Sequence, residues 1–199
     1  MRSGLTGAVL AGGDSRRMGR DKAELPYAGQ PLLHHVCAVL ADVADEILIV
    51  TRPERRDRVV DLAPAGCRIV TDALPGHGPL VGLHAALQAA AHDRVLLVGC
   101  DMPHLKPTLL RAMAESAEAT GADVVIARLA GGYEPLHAVY RRRCLAAIER
   151  VLADGPAPVP AFFTAVQVAT WPEERVKAFD PALSSFDNIN APGDLSARP

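Results

Sequence analysis

The residues best suited to chemistry follow an apolar run near the amino terminus. The run Gly7–Ala11 is typical of a buried strand, and it leads into Gly12 and Gly13, followed by Arg17 and Lys22. Paired glycines let the backbone approach a bulky anion, consecutive amides form an anion-binding concavity, and the basic side chains add full charges. The alternative is a glycine-rich turn with solvated arginines. The preceding strand and Lys22 favour phosphate binding at the carboxyl edge of a parallel sheet.

The glycine spacing differs from both common phosphate signatures. No Gly-x-x-x-x-Gly-Lys-Ser/Thr is present, which argues against a P-loop ATPase. The nearest approach to Gly-x-Gly-x-x-Gly lies at residues 76–82, where it is one residue too long and contains Pro79. Kinases and ordinary NAD enzymes are therefore weak candidates.

A carboxylate follows a second apolar run. Arg94–Val98 has its apolar residues in one block, as expected of a central strand buried on both faces, and Asp101 and Pro103 come just after it. Ligands of open α/β sheets lie beyond the carboxyl ends of the strands, and Mg²⁺ takes one or two carboxylates together with substrate phosphates. Asp101 is therefore a candidate Mg²⁺ ligand. The alternative is that it caps the following helix.

Three more polar side chains are candidates for ligand contacts. Asp72 opens a glycine- and proline-rich loop, where it could accept hydrogen bonds from a base or ribose; the alternative is a turn or helix cap. Asn188 and Asn190 flank Ile189, so both amides face one side of an extended segment and offer a platform for a polar heterocycle. Asparagine before a helix is also a common cap.

Alternating apolar runs and helical patterns predict an α/β fold with a mostly parallel sheet. The 199 residues fit one domain, and the 49% hydrophobic content is ample for a core. Strands are expected near Gly7–Ala11, Glu46–Thr51, Arg68–Thr71, Arg94–Val98, Asp123–Ala127 and Val166–Thr170. Helices are expected at Pro31–Ala41, Glu54–Leu62, Leu80–Ala91, Pro107–Thr120 and Arg141–Ala153, with a short one after Pro192.

Charge and composition argue against several classes of protein. The net charge of −2 gives no reason to expect nucleic-acid binding, and the local arginine clusters are interpreted as solvated helix faces. The four cysteines are far apart in sequence, and neither they nor the histidines have metal-site spacing. No apolar stretch approaches the roughly 20 residues of a membrane helix, and the amino terminus does not resemble a signal peptide. These features predict a reduced, cytoplasmic protein.

Five segments, in order along the chain, resemble the molybdenum cofactor guanylyltransferases. They are Leu10–Lys22, Gly78–Leu83, Cys100–Pro103, Glu134–Tyr140 and Asn188–Pro192. The first segment alone indicates only a nucleotidyltransferase of the glycosyltransferase-A-like class. The resemblance implies a single domain over residues 1–199, with a Rossmann-like three-layer α/β/α architecture. It also implies an enzyme that transfers GMP from GTP to the terminal phosphate of molybdopterin and releases pyrophosphate.

The resemblance also implies roles for individual residues. Lys22 and Asp101 would be catalytic, Asp101 would bind Mg²⁺, and Asn188 and Asn190 would contact the pterin. The nucleotide-binding residues would be Leu10, Ala11, Gly12, Gly13, Arg17, Lys22, Asp72 and Asp101, with Arg20 also over the triphosphate. Besides GTP and molybdopterin, the implied partners are molybdenum-insertion proteins and recipient molybdoenzymes or their chaperones, in transient contacts, with neither nucleic acid nor membrane.

Departures from the family pattern keep rival functions open. Many members have an asparagine after the second strand, where this chain reads Thr51-Arg52-Pro53. The cytidylyl counterpart and the sugar-phosphate or isoprenoid nucleotidyltransferases tend to have alanine where Gly12 stands, and glycine leaves more room for a purine. A third rival is a non-catalytic nucleotide-binding module that hands over the pterin. It would bind GTP without releasing pyrophosphate.

Overall fold

The computed structural model describes residues 4–12, 22–72, 74 and 78–189. Within them, seven strands form one sheet and two short strands form a separate hairpin. In chain order the strands are β1 (Leu5–Leu10), β2 (Pro26–Tyr27), β3 (Gln30–Pro31), β4 (Glu46–Thr51), β5 (Arg68–Thr71), β6 (Arg94–Gly99), β7 (Val124–Leu129), β8 (Gly132–Arg141) and β9 (Val168–Pro172).

The large sheet has the strand order β5-β4-β1-β6-β8-β7-β9. Four neighbouring pairs are parallel, namely β5–β4, β4–β1, β1–β6 and β7–β9. Strand β8 is antiparallel to both of its neighbours, β6 and β7. The parallel strands β5, β4, β1 and β6 therefore end at one edge, where open α/β sheets hold their ligands.

Helices cover both faces of the sheet. The α-helices of the described residues are α1 (Leu32–Ala41), α2 (Arg56–Leu62), α3 (Pro79–Ala89), α4 (Pro107–Thr120), α5 (Leu145–Ala153) and α6 (Glu173–Lys177). One core layer contains apolar side chains of α1, α2, α4 and α6, and the other contains those of α3 and α5. The predicted α/β/α architecture with a mostly parallel sheet is confirmed. No helix in this part of the chain is long and apolar enough to cross a membrane.

Most predicted elements agree with the structure to within a few residues, but the region around β8 does not. This ten-residue strand was not predicted as a strand. The helix predicted from Arg141 begins instead with a 3-10 turn at Arg142–Cys144. After α5, a 3-10 helix that was not predicted, Val159–Ala165, buries Val159 and Phe162. The helix expected after Pro192 lies outside the described residues.

Candidate active site

A cavity of about 200 Å³ lies at the carboxyl edge of the parallel strands. Its walls come from the ends of β1, β4 and β6, the residue after β5 and the start of α3. The lining residues are Leu10, Ala11, Gly12, Lys22, Val50, Thr51, Arg52, Asp72, Gly78, Pro79, Gly82, Gly99, Cys100, Asp101 and Leu136. All six predicted nucleotide-binding residues that the structure describes are therefore in one cavity.

Backbone hydrogen bonds fix the floor of this cavity. The Ala11 amide donates to the Val50 carbonyl at 2.8 Å, and the Cys100 amide donates to the Leu10 carbonyl at 3.1 Å. These bonds extend the ladders of β1 with β4 and β6 beyond the strand ends. A Cβ on Gly82 would lie 2.9 Å from Leu10 Cδ2. The absence of a side chain there lets α3 approach the end of β1.

Gly12 follows Leu10 and Ala11 in the lining of the same cavity. A Cβ built on it would lie 3.5 Å from Arg52 Cγ and 3.6 Å from the Arg52 amide nitrogen, which are ordinary van der Waals distances. The protein therefore has room for a methyl group at this position. A comparison of activity with different nucleotides tests whether the same methyl group would crowd a bound base.

Lys22 and Asp101 meet inside the cavity. Lys22 Nζ lies 2.8 Å from Asp101 Oδ2, and the two side chains are 22% and 20% exposed. They come from distant parts of the chain, since Lys22 begins a 3-10 turn after the glycine loop and Asp101 follows β6. A charge-assisted hydrogen bond of this length holds both groups in place. Partial exposure leaves the pair accessible to a ligand.

Asp101 has room for its carboxylate because Gly99, the last residue of β6, has no side chain. A Cβ on Gly99 would lie 2.6 Å from Asp101 Oδ1, closer than real Cβ contacts. Asp101 does not cap the following helix, whose N-cap is Lys106. The capping alternative is therefore wrong, and the carboxylate is available to a ligand in the cavity.

The turn that carries Asp101 is held from two sides. On one side, His35 Nε2 of α1 lies 2.7 Å from the Pro103 carbonyl oxygen, to which it donates. On the other side, the Ile189 amide donates to the Asp101 carbonyl at 2.9 Å. Ser185 Oγ accepts a hydrogen bond from the Lys106 amide at 3.1 Å. The carboxy-terminal segment therefore packs directly against the Asp101 turn.

Asp72 enters the cavity at the end of β5. Its amide donates to the Thr51 carbonyl at 3.1 Å, which fixes it beside β4. Helix α3 begins later, with Gly78 as its N-cap, so Asp72 is not the cap of that helix. A carboxylate in this position is able to accept hydrogen bonds from a ligand in the cavity.

The predicted pterin contacts are only partly described. Asn188 is exposed and does not line the cavity, but it adjoins Ile189, whose amide binds Asp101. Asn190 lies outside the described residues, as do Gly13, Arg17 and Arg20. The structure therefore tests none of these four. Asn188 is next to the Asp101 turn rather than beside the floor that Leu10 and Ala11 form.

Several lining residues were not singled out from the sequence as ligand contacts. Thr51 and Arg52 were noted only as departures from the family pattern, and Val50 and Leu136 were not assigned to the site. Thr51 is 1% exposed, and its Oγ1 has no hydrogen-bond partner among the described residues. Their position in the sequence could have identified them as lining residues, because Val50, Thr51 and Arg52 lie at the end of a parallel strand.

Two ionisable side chains on β8 are affected by burial. Burial raises the pKa of the half-buried Glu134 carboxyl. Burial lowers the pKa of His137 to about 4, against smaller opposing effects of its own backbone and of Asp180. Neither His137 ring nitrogen has a hydrogen-bond partner in the described part of the chain, and the ring lies 4.6 Å from that of Phe186. His137 is thus a neutral core residue.

The carboxylates of the site determine which kind of metal ion it can hold. Among the described residues, no group of three or more His, Cys, Asp or Glu side chains is arranged to hold an ion. A single carboxylate fits a different kind of site, in which Mg²⁺ is completed by substrate phosphates and water. Asp101 offers such a carboxylate, since it lines the cavity and is 20% exposed.

Comparison with known proteins shows the family of this chain. The family model described as the MobA-like NTP transferase domain matches residues 7–166. A probable molybdenum cofactor guanylyltransferase from Pelotomaculum thermopropionicum is 40% identical over 190 residues, covering 96% of this chain and 89% of the relative. A molybdenum cofactor guanylyltransferase from Desulfosudis oleivorans is 36% identical over 192 residues, with coverage of 96% and 92%.

A solved structure is similar over nearly the whole length. Molybdopterin-guanine dinucleotide biosynthesis protein A from Archaeoglobus fulgidus has a TM-score of 0.83 and 29% sequence identity, covering 96% of this chain and 95% of that chain. A 4-diphosphocytidyl-2C-methyl-D-erythritol synthase from Anaerococcus prevotii has a TM-score of 0.70 at 15% identity, with coverage of 96% and 94%. The second likeness concerns the fold alone.

Proposed function

Because this chain belongs to the MobA-like NTP transferase family, we propose that it transfers GMP from GTP to the terminal phosphate of molybdopterin. The products are the guanine dinucleotide form of the cofactor and pyrophosphate. The observation that carries the proposal is the pair Lys22–Asp101, 2.8 Å apart in the cavity that Leu10, Ala11 and Gly12 line. The names of relatives 36–40% identical to this chain support guanine and molybdopterin as the substrates.

Each part of the cavity has a proposed partner in GTP. Leu10, Ala11 and Gly12 contact the guanine and ribose, because their backbone forms the floor next to the opening. Asp72 accepts hydrogen bonds from the nucleoside, and Lys22 contacts the phosphates as a compact positive charge. Roles for Gly13 and Arg17 at the phosphates rest on the family resemblance, as do those of Asn188 and Asn190 at the pterin.

The residues fit a divalent ion held jointly by the protein and the substrate. Asp101 is the proposed protein ligand, and Mg²⁺ is the proposed ion because its preferred ligands are oxygen atoms and it keeps substrate phosphates and waters in its shell. When bound, Mg²⁺ neutralises charge that develops on the phosphate oxygens. Lys22 supplies a second positive charge close by.

The reaction requires positioning more than covalent chemistry. A terminal phosphate oxygen of molybdopterin attacks the α-phosphorus of GTP in line, the bond from that phosphorus to the bridging oxygen breaks, and pyrophosphate leaves. The attacking phosphate is largely ionised near neutral pH, so no general base is needed. Lys22 and the loop amides stabilise charge on the oxygens of the transition state.

Product analysis tests the proposal. The purified protein is incubated with molybdopterin, Mg²⁺ and either GTP or CTP, and the pterin is analysed by mass spectrometry. We expect the pterin to gain one GMP unit, and we expect no such product when GTP is omitted. If GTP binds but the pterin stays unmodified, the protein is a nucleotide-binding module. If CTP alone modifies the pterin, the protein is the cytidylyl counterpart.

Three wider expectations stay predictions. They are a cytoplasmic location, function as a single domain over residues 1–199, and transient contacts with molybdenum-insertion proteins and with recipient molybdoenzymes or their chaperones. The last follows from the chemistry of the product, which must pass to a protein that uses it.

A further inference from the structure

The wall of the cavity contains a cation that the proposed phosphate chemistry does not use. Among the described residues, the cationic side chains that line the cavity are Lys22 and Arg52. Lys22 is paired with Asp101 at 2.8 Å, at the end of the cavity assigned to the phosphates. Arg52 follows the end of β4 and has no role in that chemistry. Its position decides which part of a nucleotide it can contact.

The strand order places Arg52 away from the Lys22–Asp101 pair. Strands β5, β4, β1 and β6 are neighbours in this order. The lining residues that follow them are, in the same order, Asp72, Arg52, Gly12 and Asp101. Gly12 therefore lies between Arg52 and Asp101 along this edge, whereas Arg52 is next to Asp72. With the phosphates at Lys22 and Asp101, the base lies toward Arg52.

The backbone at Arg52 is held from both neighbouring strands. On the β1 side, the Ala11 amide donates to the Val50 carbonyl at 2.8 Å, and on the β5 side the Asp72 amide donates to the Thr51 carbonyl at 3.1 Å. Arg52 is extended, with φ −76° and ψ 152°, as expected of a residue before proline. The side chain therefore starts from a fixed backbone, which limits the positions that its guanidinium can reach.

The stem of Arg52 lies beside Gly12. A Cβ built on Gly12 would lie 3.5 Å from Arg52 Cγ, so the methylene groups of the arginine are next to the face of Gly12 that has no side chain. Gly12 belongs to the floor that is proposed to contact the guanine. An arginine whose stem lies along this floor presents a planar, multiply donating group to the edge of a base that lies there.

We propose that Arg52 determines the specificity for guanine, because its guanidinium donates two hydrogen bonds to O6 and N7 of the base. This inference rests on the proposed function, since it concerns the nucleotide of that reaction. O6 and N7 are neighbouring acceptors on one edge of guanine, and their spacing matches the fork of an arginine. The same pairing is the commonest specific contact between proteins and DNA bases.

The same contact disfavours other bases. Adenine has an amino group where guanine has O6, so two donors would face each other. Cytosine has no N7, so it cannot accept both hydrogen bonds of the fork. A donor that a bound base shields from water without offering an acceptor costs free energy. Arg52 therefore weakens the binding of ATP and CTP as well as strengthening that of GTP.

Replacement of one atom of the base tests the proposal. In 7-deaza-GTP a carbon takes the place of N7, so one of the two hydrogen bonds is lost while the phosphates stay the same. Isothermal titration calorimetry with Mg²⁺ and without molybdopterin gives the Kd of each nucleotide independently of transfer. We expect the native protein to bind GTP about 10-fold more tightly than 7-deaza-GTP. Equal affinity for the two nucleotides overturns the proposal.

Two variants assign this difference to Arg52. Arg52→Met removes the fork and keeps an unbranched stem, so we expect GTP binding to weaken and the ratio of the two Kd values to approach one. Arg56→Met is the matched control, because Arg56 is exposed on α2 and does not line the cavity, and it is expected to keep the native ratio. Thermal unfolding checks that both variants are folded.

The outcomes separate this inference from the proposed function. If Arg52→Met weakens GTP and 7-deaza-GTP equally, Arg52 contacts another part of the nucleotide and the inference alone is wrong. If the native protein does not bind GTP, the proposed function fails and the role of Arg52 fails with it.

Discussion

Single side chains carry the chemistry of the proposed site, and the ion pair of Lys22 and Asp101 is its centre. In the described structure each charge has the other as a partner at 2.8 Å. A phosphate chain that enters the cavity contacts the Lys22 ammonium directly. It contacts the Asp101 carboxylate through a divalent ion. The pair therefore keeps two reactive charges positioned before substrate binds.

Replacing Asp101 by asparagine tests the proposed metal ligand. Asp101→Asn keeps the shape but removes the negative charge, so we expect kcat to fall by roughly 100-fold or more, equivalent to about 3 kcal/mol of transition-state stabilisation. The measurement is pyrophosphate release over a range of Mg²⁺ concentrations. The exposed Asp154→Asn is the control and is expected to be unaffected. A wild-type rate for Asp101→Asn at saturating Mg²⁺ would show that the assignment is wrong.

Gly12 tests the preference for guanine. A methyl group at this position is compatible with the fold, since its nearest protein atom is 3.5 Å away. We expect Gly12→Ala to lower the ratio of kcat/KM for GTP to that for CTP, because the methyl group crowds the larger base. One pocket methyl is worth about 1–3 kcal/mol of discrimination. An unchanged ratio would mean that Gly12 serves loop geometry alone.

His137 predicts a pH dependence of stability. Its pKa falls from 6.5 in the unfolded chain to about 4 in the folded protein, so the unfolded chain binds more protons between these values. The free energy of unfolding is therefore greatest above pH 6.5 and decreases as pH falls to about 4, by at most about 3 kcal/mol from this residue. Acid unfolding also includes contributions from other groups.

His137→Leu isolates this contribution. Because neither ring nitrogen has a partner among the described residues, we expect the variant to be at least as stable at pH 8. We also expect a smaller loss of stability between pH 7 and pH 5. Urea denaturation at each pH measures both effects, with the partly exposed His92→Leu as control. A loss as steep as that of the wild type would contradict the argument.

At the scale of elements, the turn after β6 decides where the Asp101 carboxylate points. Gly99 leaves space for Oδ1, His35 holds the Pro103 carbonyl, and the Ile189 amide holds the Asp101 carbonyl. These contacts come from a strand, a helix and the carboxy-terminal segment. The position of one catalytic group thus depends on the assembly of three separate parts of the chain.

Gly99→Ala tests this dependence. The new Cβ would lie 2.6 Å from Asp101 Oδ1, so the carboxylate must turn away, while the other neighbours are at ordinary distances. We expect kcat to fall by roughly 10- to 100-fold, since small misplacements of reacting groups are costly, and the Mg²⁺ requirement to rise. Thermal unfolding checks that the fold is kept.

The matched control for this change is Gly131→Ala, which adds the same methyl group where no atom of the described residues lies within 4 Å. It is expected to match the wild type in rate and in Mg²⁺ requirement. Equal activity of the Gly99 variant and this control would contradict the proposed role of the turn.

The elements themselves were predicted unevenly. β4, β5 and α4 have the predicted bounds because their apolar periods are unbroken and Pro107 and Gly121 mark the ends of α4. β8 was missed because Pro135 and the polar residues around it interrupt the strand pattern. The strand forms because it pairs with β6 and β7, which the local sequence does not show. The Tyr140 hydroxyl donates to the Pro135 carbonyl at 2.9 Å, a local contact that the sequence pattern does not reveal.

For the whole molecule, the strand order brings distant segments to one edge of the sheet. Because strand ends in parallel sheets gather at one side, the sequence pattern predicted that edge with Gly12, Lys22, Asp72 and Asp101, and the family resemblance added Leu10 and Ala11. The sequence did not reveal that Thr51 and Arg52 form a wall, or that Ile189 binds the Asp101 turn. Contacts of this kind depend on three-dimensional packing between segments far apart in the chain.

Pyrophosphate release from each of the four nucleoside triphosphates, with and without molybdopterin, tests the proposed guanylyl transfer most directly. We expect release from GTP only when molybdopterin and Mg²⁺ are present, with kcat/KM for GTP above that for CTP by more than the single contact at Gly12 explains. Equal or faster release with CTP, or binding of GTP with no pterin-dependent release, would contradict it.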